Sequence, residues 1–422
     1  MTILIALLTT GGYLPPDTVD LATCYKSAER HFPTARRTDL AERIAELEIR
    51  NIDARYRPDV MLEGRGVYHS SVPELPVDLP GAQIPGIPHD QYTAALHVNQ
   101  VIYDGGFGRT ARRLAETSVR ATEGEVGVAL HELKTHINDV FFGALIQREV
   151  AATLGVLRDE LQARRAAILA RIDQGVVSGE ALDVLDVELL SVDQRIETAE
   201  QTRRGALAAL SVLTGLNLSD DVTLVVPDVD ASVPEVVADH PQFTVFETRR
   251  KRLTLQREQI RRRAQPTIGA FATGAYGRPA GMDIFEDALS PYFSMGVRLS
   301  WSVWDWRSAD RDRQVIGLQE DAVDAQEDAF VQRVQASAER AWQEVERLRA
   351  LVERDVEIES LRTRIAERAA RRFENGVISA TEYVTERHAE HRAALDSRRH
   401  EIELRYAMVR YQTLLGQADE YR

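Results

Sequence analysis

The chain has 422 residues, enough for two or three ordinary domains, and its 44% hydrophobic and 28% charged residues exclude disorder by composition. A formal net charge of -14 argues against a nucleic-acid binder, and the basic runs Arg249-Arg250-Lys251-Arg252 and Arg261-Arg262-Arg263 do not reverse that. Cys24 is the single cysteine, so no intrachain disulfide can form, and aromatics at 6% favour long helices over one compact core.

Residues 1–16 read as a signal remnant or a disordered N-terminus. Thr2 to Leu8 is a short apolar run followed by small residues through Gly12, without the basic n-region of a complete secretory leader. Leu21-Ala22-Thr23-Cys24 faintly outlines a lipoprotein cleavage box. Thr23 suits that box poorly, and Asp17 and Asp20 interrupt the apolar stretch it needs, so Cys24 is read as an ordinary helix residue, with lipidation as the lesser alternative. No run of 18 consecutive apolar residues occurs, and no transmembrane helix is predicted.

Asp17 or Thr18 caps a helix that runs to about Tyr56, interrupted near Pro33. Pro58 opens an extended segment, Val60 to His69. The stretch Ser71 to Asp90 holds five prolines and is a loop, since neither helix nor central strand survives that density. Tyr92 to Tyr103 is a second strand ending at Asp104-Gly105-Gly106, so 58–104 is predicted as a β-hairpin. From about Arg109 to Gln174 there is no proline. Leu154, Leu157, Leu161, Ile168 and Ile172 form a helical stripe of coiled-coil character. Such a helix spans about 100 Å. Gly175 to Gly179 is the turn. Leu185, Leu189, Val192, Ile196, Ala199, Ala206, Leu210 and Leu213 mark the return, which makes 109–214 an antiparallel helical hairpin.

Residues 215–240 form a connector with a short β-like run, Val222 to Val226. Pro241 then restarts the plan over 241–422: a helix to about Arg263, a β-hairpin over 266–305, and a helical hairpin over 307–416 that turns at Gly376. The residues themselves recur. Arg171-x-x-x-Gly175-Val176-Val177-Ser178 returns 201 residues later as Arg372-x-x-x-Gly376-Val377-Ile378-Ser379, and the same offset relates Asp104 to Asp305. The chain is therefore read as two similar halves, 17–214 and 241–422. The class is mainly α, with long coiled-coil hairpins and a small β part of four strands.

In Phe293 to Val303 one parity carries Phe293, Met295, Val297, Leu299, Trp301 and Val303, and the other is mostly Ser, Gly and Arg. Trp301, Trp304, Trp306 and, on the first hairpin, Tyr103 follow as an aromatic girdle, as at the rim of a membrane β-barrel. Four strands cannot close a barrel, and lipid tolerates no open sheet edge. If these strands span a membrane, identical chains must pool them. From periodicity alone a strand with one face on a soluble core is the commoner case, and the competing reading of the chain is a soluble or peripheral coiled-coil scaffold without transport activity, whose hairpins merely extend helices.

Both halves resemble the TolC-type outer-membrane efflux protein family, or outer membrane factors, over essentially the whole chain. The resemblance is carried by Phe32-Pro33 and His240-Pro241, by Arg57-Pro58 and Gln265-Pro266, by Val101 to Gly106 and Ser302 to Asp305, and by the two Arg-x-x-x-Gly-x-x-Ser turns. It implies a homotrimer in the outer membrane, with twelve strands in one barrel and an α-barrel crossing the periplasm. It implies a passive exit duct for a tripartite efflux pump or a type I secretion system, without catalytic residues, metal or cofactor. Its partners are outer-membrane lipid, a periplasmic adaptor protein and an inner-membrane pump.

The resemblance places adaptor docking at the hairpin turns, here Gly175, Val176 and Ser178 and then Gly376, Val377 and Ser379. An acidic constriction is expected nearby. Glu382 stands where the family often has an aspartate, while Thr385 and Ile378 depart from a second aspartate and a latch arginine. Glu386, Asp183 and Asp186 are further aperture candidates. His131-Glu132-x-x-x-His136 has its histidines five apart rather than four, which places them on different helix faces and reads as surface chemistry, not a metal site.

Overall fold

A computed structural model describes residues 18–73, 87–173, 180–229, 240–281 and 288–417. In chain order the elements are β1 (Thr18–Val19), α1 (Leu21–His31), a 3-10 turn (Pro33–Ala35), α2 (Arg36–Ala54), β2 (Asp59–Tyr68), β3 (Asp90–Tyr103), α3 (Phe107–Asp173) and α4 (Glu180–Thr214). There follow β4 (Thr223–Leu224), α5 (Pro241–Arg263), β5 (Thr267–Arg278), β6 (Ser290–Ser300), α6 (Ser308–Glu374) and α7 (Ala380–Leu414). The molecule is mostly helical with a minor sheet part, and α3 and α6 are 67 residues each while α4 and α7 are 35.

The chain divides into two compact units. The first comprises residues up to Arg36, Glu125–Thr244 and Glu327 onward. Its first helix starts later than the expected Asp17 or Thr18. Thr18–Val19 instead pairs in parallel with Thr223–Leu224, and the Asp20 carboxylate accepts from the Thr23 amide at 2.7 Å as the cap of α1. Cys24 is fully buried on α1, and desolvation, followed by the charge of Asp20, pushes its thiol up to about 12. It packs in a core of Leu21, Ile137, Phe141, Phe142, Leu145, Leu210 and Val409. That core also absorbs part of α3, which within Phe107–Ala170 contains an 18-residue window of mean hydropathy 1.5. About 33% of that window is buried within the chain, so this core accounts for part of its apolar character.

A second cluster of this unit joins Leu154, Leu157, Leu161 and Ile168 of α3 to Leu185, Leu189, Val192 and Ile196 of α4. These are the stripes expected from spacing, now buried against one another. Tyr383 and Val384 of α7 close the cluster.

The second unit, Arg37–Gly124 and Val245–Gln326, holds the sheet. Its order is β2-β3-β5-β6, antiparallel throughout. β6 stops at Ser300 instead of reaching Trp304. Its partner β5 begins at Thr267, which pairs with Ser300, and the preceding Pro266 has no N–H to extend the ladder. The outer edges of β2 and β6 pair with no strand among the described residues.

Candidate functional site

Pairing fixes which side chains share a face of the sheet. Val60, Leu62, Gly64 and Gly66 lie level with Val98, Leu96, Ala94 and Tyr92, then with Ala272, Gly274 and Tyr276, then with Met295 and Phe293. Val297 and Leu299 continue this face on β6. It is open, and apolar across all four strands between Gln100 at one end and the Arg278–Asp90 ion pair at the other: Phe293 is 77% exposed and Leu299 66%. Each such side chain left in water forgoes roughly 1.5–3 kcal/mol of burial. The opposite face carries Asp59, Glu63, Arg65, His97, Asn99, Thr273, Ser294 and Arg298. His97 Nδ1 lies 3.1 Å from Thr273 Oγ1, its Nε2 is 3.5 Å from Glu63, and Arg298 sits 5.3 Å from the Phe271 ring. A sheet dry on one side and charged on the other suits a wall between lipid and water.

Trp301, Trp304, Trp306 and Tyr103 are exposed at the strand ends that lead into helices. Trp301 Nε1 donates to the Ala264 carbonyl at 3.1 Å, and the Trp304 and Trp306 rings meet edge to face at 5.8 Å. At these junctions Asp104 and Asp305 hold the helix starts. Asp104 accepts from the Gly106 and Gly108 amides at 2.9 and 2.6 Å and from the Tyr56 hydroxyl at 2.5 Å. Burial opposes its charge, but the Tyr56 and backbone hydrogen bonds prevail and hold its carboxyl below the usual range.

Of the two helical turns, residues 174–179 lie outside the described residues, and Gly175, Val176 and Ser178 with them. The second is a tight reversal between α6 and α7. Gly376 is left-handed at φ 71°, its amide donates to Phe373 O at 3.0 Å, and the Val377 amide donates to Arg372 O at 2.8 Å. This is the Schellman arrangement. Ser379 then caps α7 in a capping box with Glu382. The Glu382 amide donates to Ser379 Oγ at 3.2 Å, and its carboxylate accepts from the Ser379 amide at 2.9 Å. These bonds hold Glu382 below the usual carboxylate range. Val377 is exposed at the tip.

The remaining acidic candidates lie on α4 and α7. Asp186 pairs with Arg165, which lowers its pKa, and Glu386 lies 3.7 Å from Arg362. Asp183 is exposed. Periodicity did not reveal the cluster behind them. The Arg164 guanidinium sits 5.8 Å from the Phe373 ring and 5.0 Å from that of Tyr383, which themselves stack at 5.0 Å, and it pairs with Glu374 at 3.1 Å. One turn earlier on α3, Glu160 accepts from Arg387 and lies 3.0 Å from His391 Nε2. Burial opposes its charge, but these two partners prevail and hold it at about 2. His388 lies 2.7 Å from Glu188 of α4. Together these contacts join α3, α4, α6 and α7 near the defined turn.

His131 is not the plain surface residue expected. Its ring meets that of His240 at 4.4 Å, and His240 in turn meets Phe330 at 4.9 Å. Burial, then the neighbouring His131, holds His240 down to about 4.

No protein-family model matches the chain, and no curated protein matches it in sequence. Solved structures do. The outer membrane channel CmeC of Campylobacter jejuni is 14% identical at a TM-score of 0.69, with 94% of this chain and 86% of that one covered. The outer membrane protein VceC of Vibrio cholerae is 14% identical at 0.64, with 95% and 97% covered. The MtrE outer membrane channel of Neisseria gonorrhoeae, solved in an open state, is 14% identical at 0.67, with 94% and 89% covered. The chain thus has the fold of the TolC-type outer-membrane factor channels.

Proposed function

We propose that this chain is one third of a passive outer-membrane exit duct. Three copies pool their four-stranded sheets into a 12-stranded barrel in the outer membrane, and their long helices form a tube through the periplasm. The carrying observation is the sheet itself: one face apolar and exposed over its middle rows, the other charged, with both outer edges unpaired among the described residues. Within lipid those edges must be paired, and successive copies placed β6 against β2 keep the antiparallel order around a closed ring. The fold shared with CmeC and MtrE supports the same reading.

The two halves, 17–214 and 241–422, are products of internal duplication. Equal helix lengths and the matching Asp104 and Asp305 caps support this. The turn at Gly376, Val377 and Ser379, with its counterpart at Gly175, Val176 and Ser178, docks a periplasmic adaptor. Glu382, Glu386, Asp183 and Asp186 stand around the aperture. An inner-membrane pump drives the cargo, in tripartite efflux or type I secretion.

The test is fractionation followed by conductance. The protein is expected in the outer membrane, extractable only with detergent, as a trimer that forms water-filled pores in planar bilayers. A monomer soluble in plain buffer defeats the proposal and leaves a scaffold.

A further inference from the structure

We propose that the junction between the sheet and its helices binds the headgroups of anionic phospholipids, in the leaflet nearest those helices. This rests on the membrane reading above and adds a ligand class to it. In the junction segments 53–59, 104–113, 258–263 and 305–313, arginines outnumber acids eleven to seven, within a chain of net charge -14. Positive charge is concentrated where the sheet ends.

Most acids there are already engaged. Asp53 pairs with Arg112, Glu258 with Arg113 and Arg262, and Asp310 with Arg307 and Arg313, while Asp104 and Asp305 cap helices. Arg57, Arg109, Arg261 and Arg311 are exposed and have no carboxylate partner among the described residues. Surface arginines without a carboxylate partner at the strand-to-helix junctions, Arg311 donating only to the Trp306 carbonyl, suit phosphate oxygens, to which guanidinium groups donate in pairs.

The local geometry favours a lipid over a free anion. A cleft of about 290 Å³ is lined by Arg109 and Arg112 together with Ile102 and Tyr103. Tyr103 pairs with Ile268 on the apolar face, and Ile102 and Tyr103 are 57% and 45% exposed. Asp104 also lines the cleft, but its oxygens are taken by two amides and the Tyr56 hydroxyl. A soluble phosphate would leave Ile102 and Tyr103 in water. A phospholipid covers them with its chains while its phosphate reaches the guanidinium groups, and Trp301, two residues beyond the Leu299 that pairs with Ile268, is exposed at the same end of the sheet.

The experiment uses the full-length protein, reconstituted into bilayers of phosphatidylcholine with phosphatidylglycerol and then extracted for native mass spectrometry. Trimer and conductance are checked on the same sample. The wild type is expected to retain phosphatidylglycerol in preference to phosphatidylcholine. R57Q/R109Q/R261Q/R311Q is expected to lose that preference by about fivefold per arginine removed. The all-lysine version of the four positions keeps most of it, and raising salt weakens it. Equal retention of both lipids by a conducting wild-type trimer overturns the lipid site and leaves the channel standing. Displacement of the lipid by millimolar glycerol phosphate assigns the site to a soluble anion and also overturns it. A protein that neither inserts nor conducts defeats both proposals. Should the quadruple variant fail to assemble, the wild-type comparison of the two lipids decides alone.

Discussion

Asp104 and Asp305 make the same pair of bonds 201 residues apart. In each, Oδ1 accepts from the amide two residues on and Oδ2 from the amide four residues on: 2.9 and 2.6 Å at Asp104, 2.9 and 2.9 Å at Asp305. Both carboxylates therefore turn a strand end into a helix start, and both force the next two residues into left-handed backbone. After Asp104 these are Gly105 and Gly106, at φ 71° and 85°. After Asp305 they are Trp306 and Arg307, at φ 55° and 61°, where a Cβ is strained.

Arg307→Gly is expected to stabilise the protein by about 1 kcal/mol through relief of that strain. The side chain lost is 81% exposed and only 3.5 Å from Asp310, so its ion pair offsets little. The opposite change, Gly105→Ala, is destabilising, because its Cβ would fall 2.6 Å from Gln265 Cβ as well as demand the left-handed conformation. Thermal unfolding of the detergent-solubilised protein measures both, with opposite signs expected.

Asp305→Ala removes the two amide bonds at the start of α6. A lost helix cap costs roughly 0.5–2 kcal/mol. Asp305→Asn keeps an acceptor oxygen and is expected to recover about half of that. A melting temperature unchanged in the alanine variant would show that the cap contributes nothing.

The aligned aspartates also show what was legible from residues alone. The stripes Leu154-Leu157-Leu161-Ile168 and Leu185-Leu189-Val192-Ile196 were readable because helical period is local, and they are buried as the spacing indicates. Strand parity in Phe293–Leu299 was readable for the same reason. The strained Trp306-Arg307 pair has its own signal in the sequence, since the equivalent positions after Asp104 are both glycine. Other features had no local signal. The pairing of Thr18–Val19 with Thr223–Leu224, and the choice of Arg387 and His391 by Glu160, depend on partners hundreds of residues away that no periodicity specifies.

Glu160 makes stability sensitive to acid. Its folded pKa is depressed to about 2 from an ordinary value near 4.5, because burial, which raises it, is outweighed by His391 and Arg387. A depressed carboxylate contributes stability that is present above its unfolded pKa and lost as pH falls through the folded one. The wild type should therefore weaken between about pH 4.5 and 2, and Glu160→Gln should show a lower plateau with a flatter acid limb. Denaturation midpoints across that range provide the check, and parallel acid limbs would remove Glu160 from the account.

Gly376 separates backbone requirement from packing. A Cβ there meets nothing within 4 Å, yet φ is 71°. Gly376→Val should therefore cost about 1–2 kcal/mol from conformation alone, and Gly376→Asn only a few tenths, because Asn tolerates the left-handed region. If the turn docks an adaptor, the Val variant also loses export activity while the Asn variant keeps it. Equal stability of the two variants would mean the turn relaxes to another conformation.

Glu382 has a structural duty that must be separated from any role at the aperture. Its carboxylate closes the capping box by accepting from the Ser379 amide at 2.9 Å, and its own amide donates to Ser379 Oγ at 3.2 Å. Glu382→Ala is expected to raise ion conductance or alter its cation preference, but it removes the cap and the charge together. Glu382→Gln removes the charge alone, since a glutamine carbonyl still accepts from the Ser379 amide. Ser379→Ala removes the cap's hydroxyl and keeps the charge, at roughly 1 kcal/mol of helix stability. A charge role requires Glu382→Gln to shift cation preference as far as Glu382→Ala does, with Ser379→Ala silent in conductance and lower in melting temperature. If the two alanine variants match each other and the glutamine variant behaves as wild type, the carboxylate serves only to start α7.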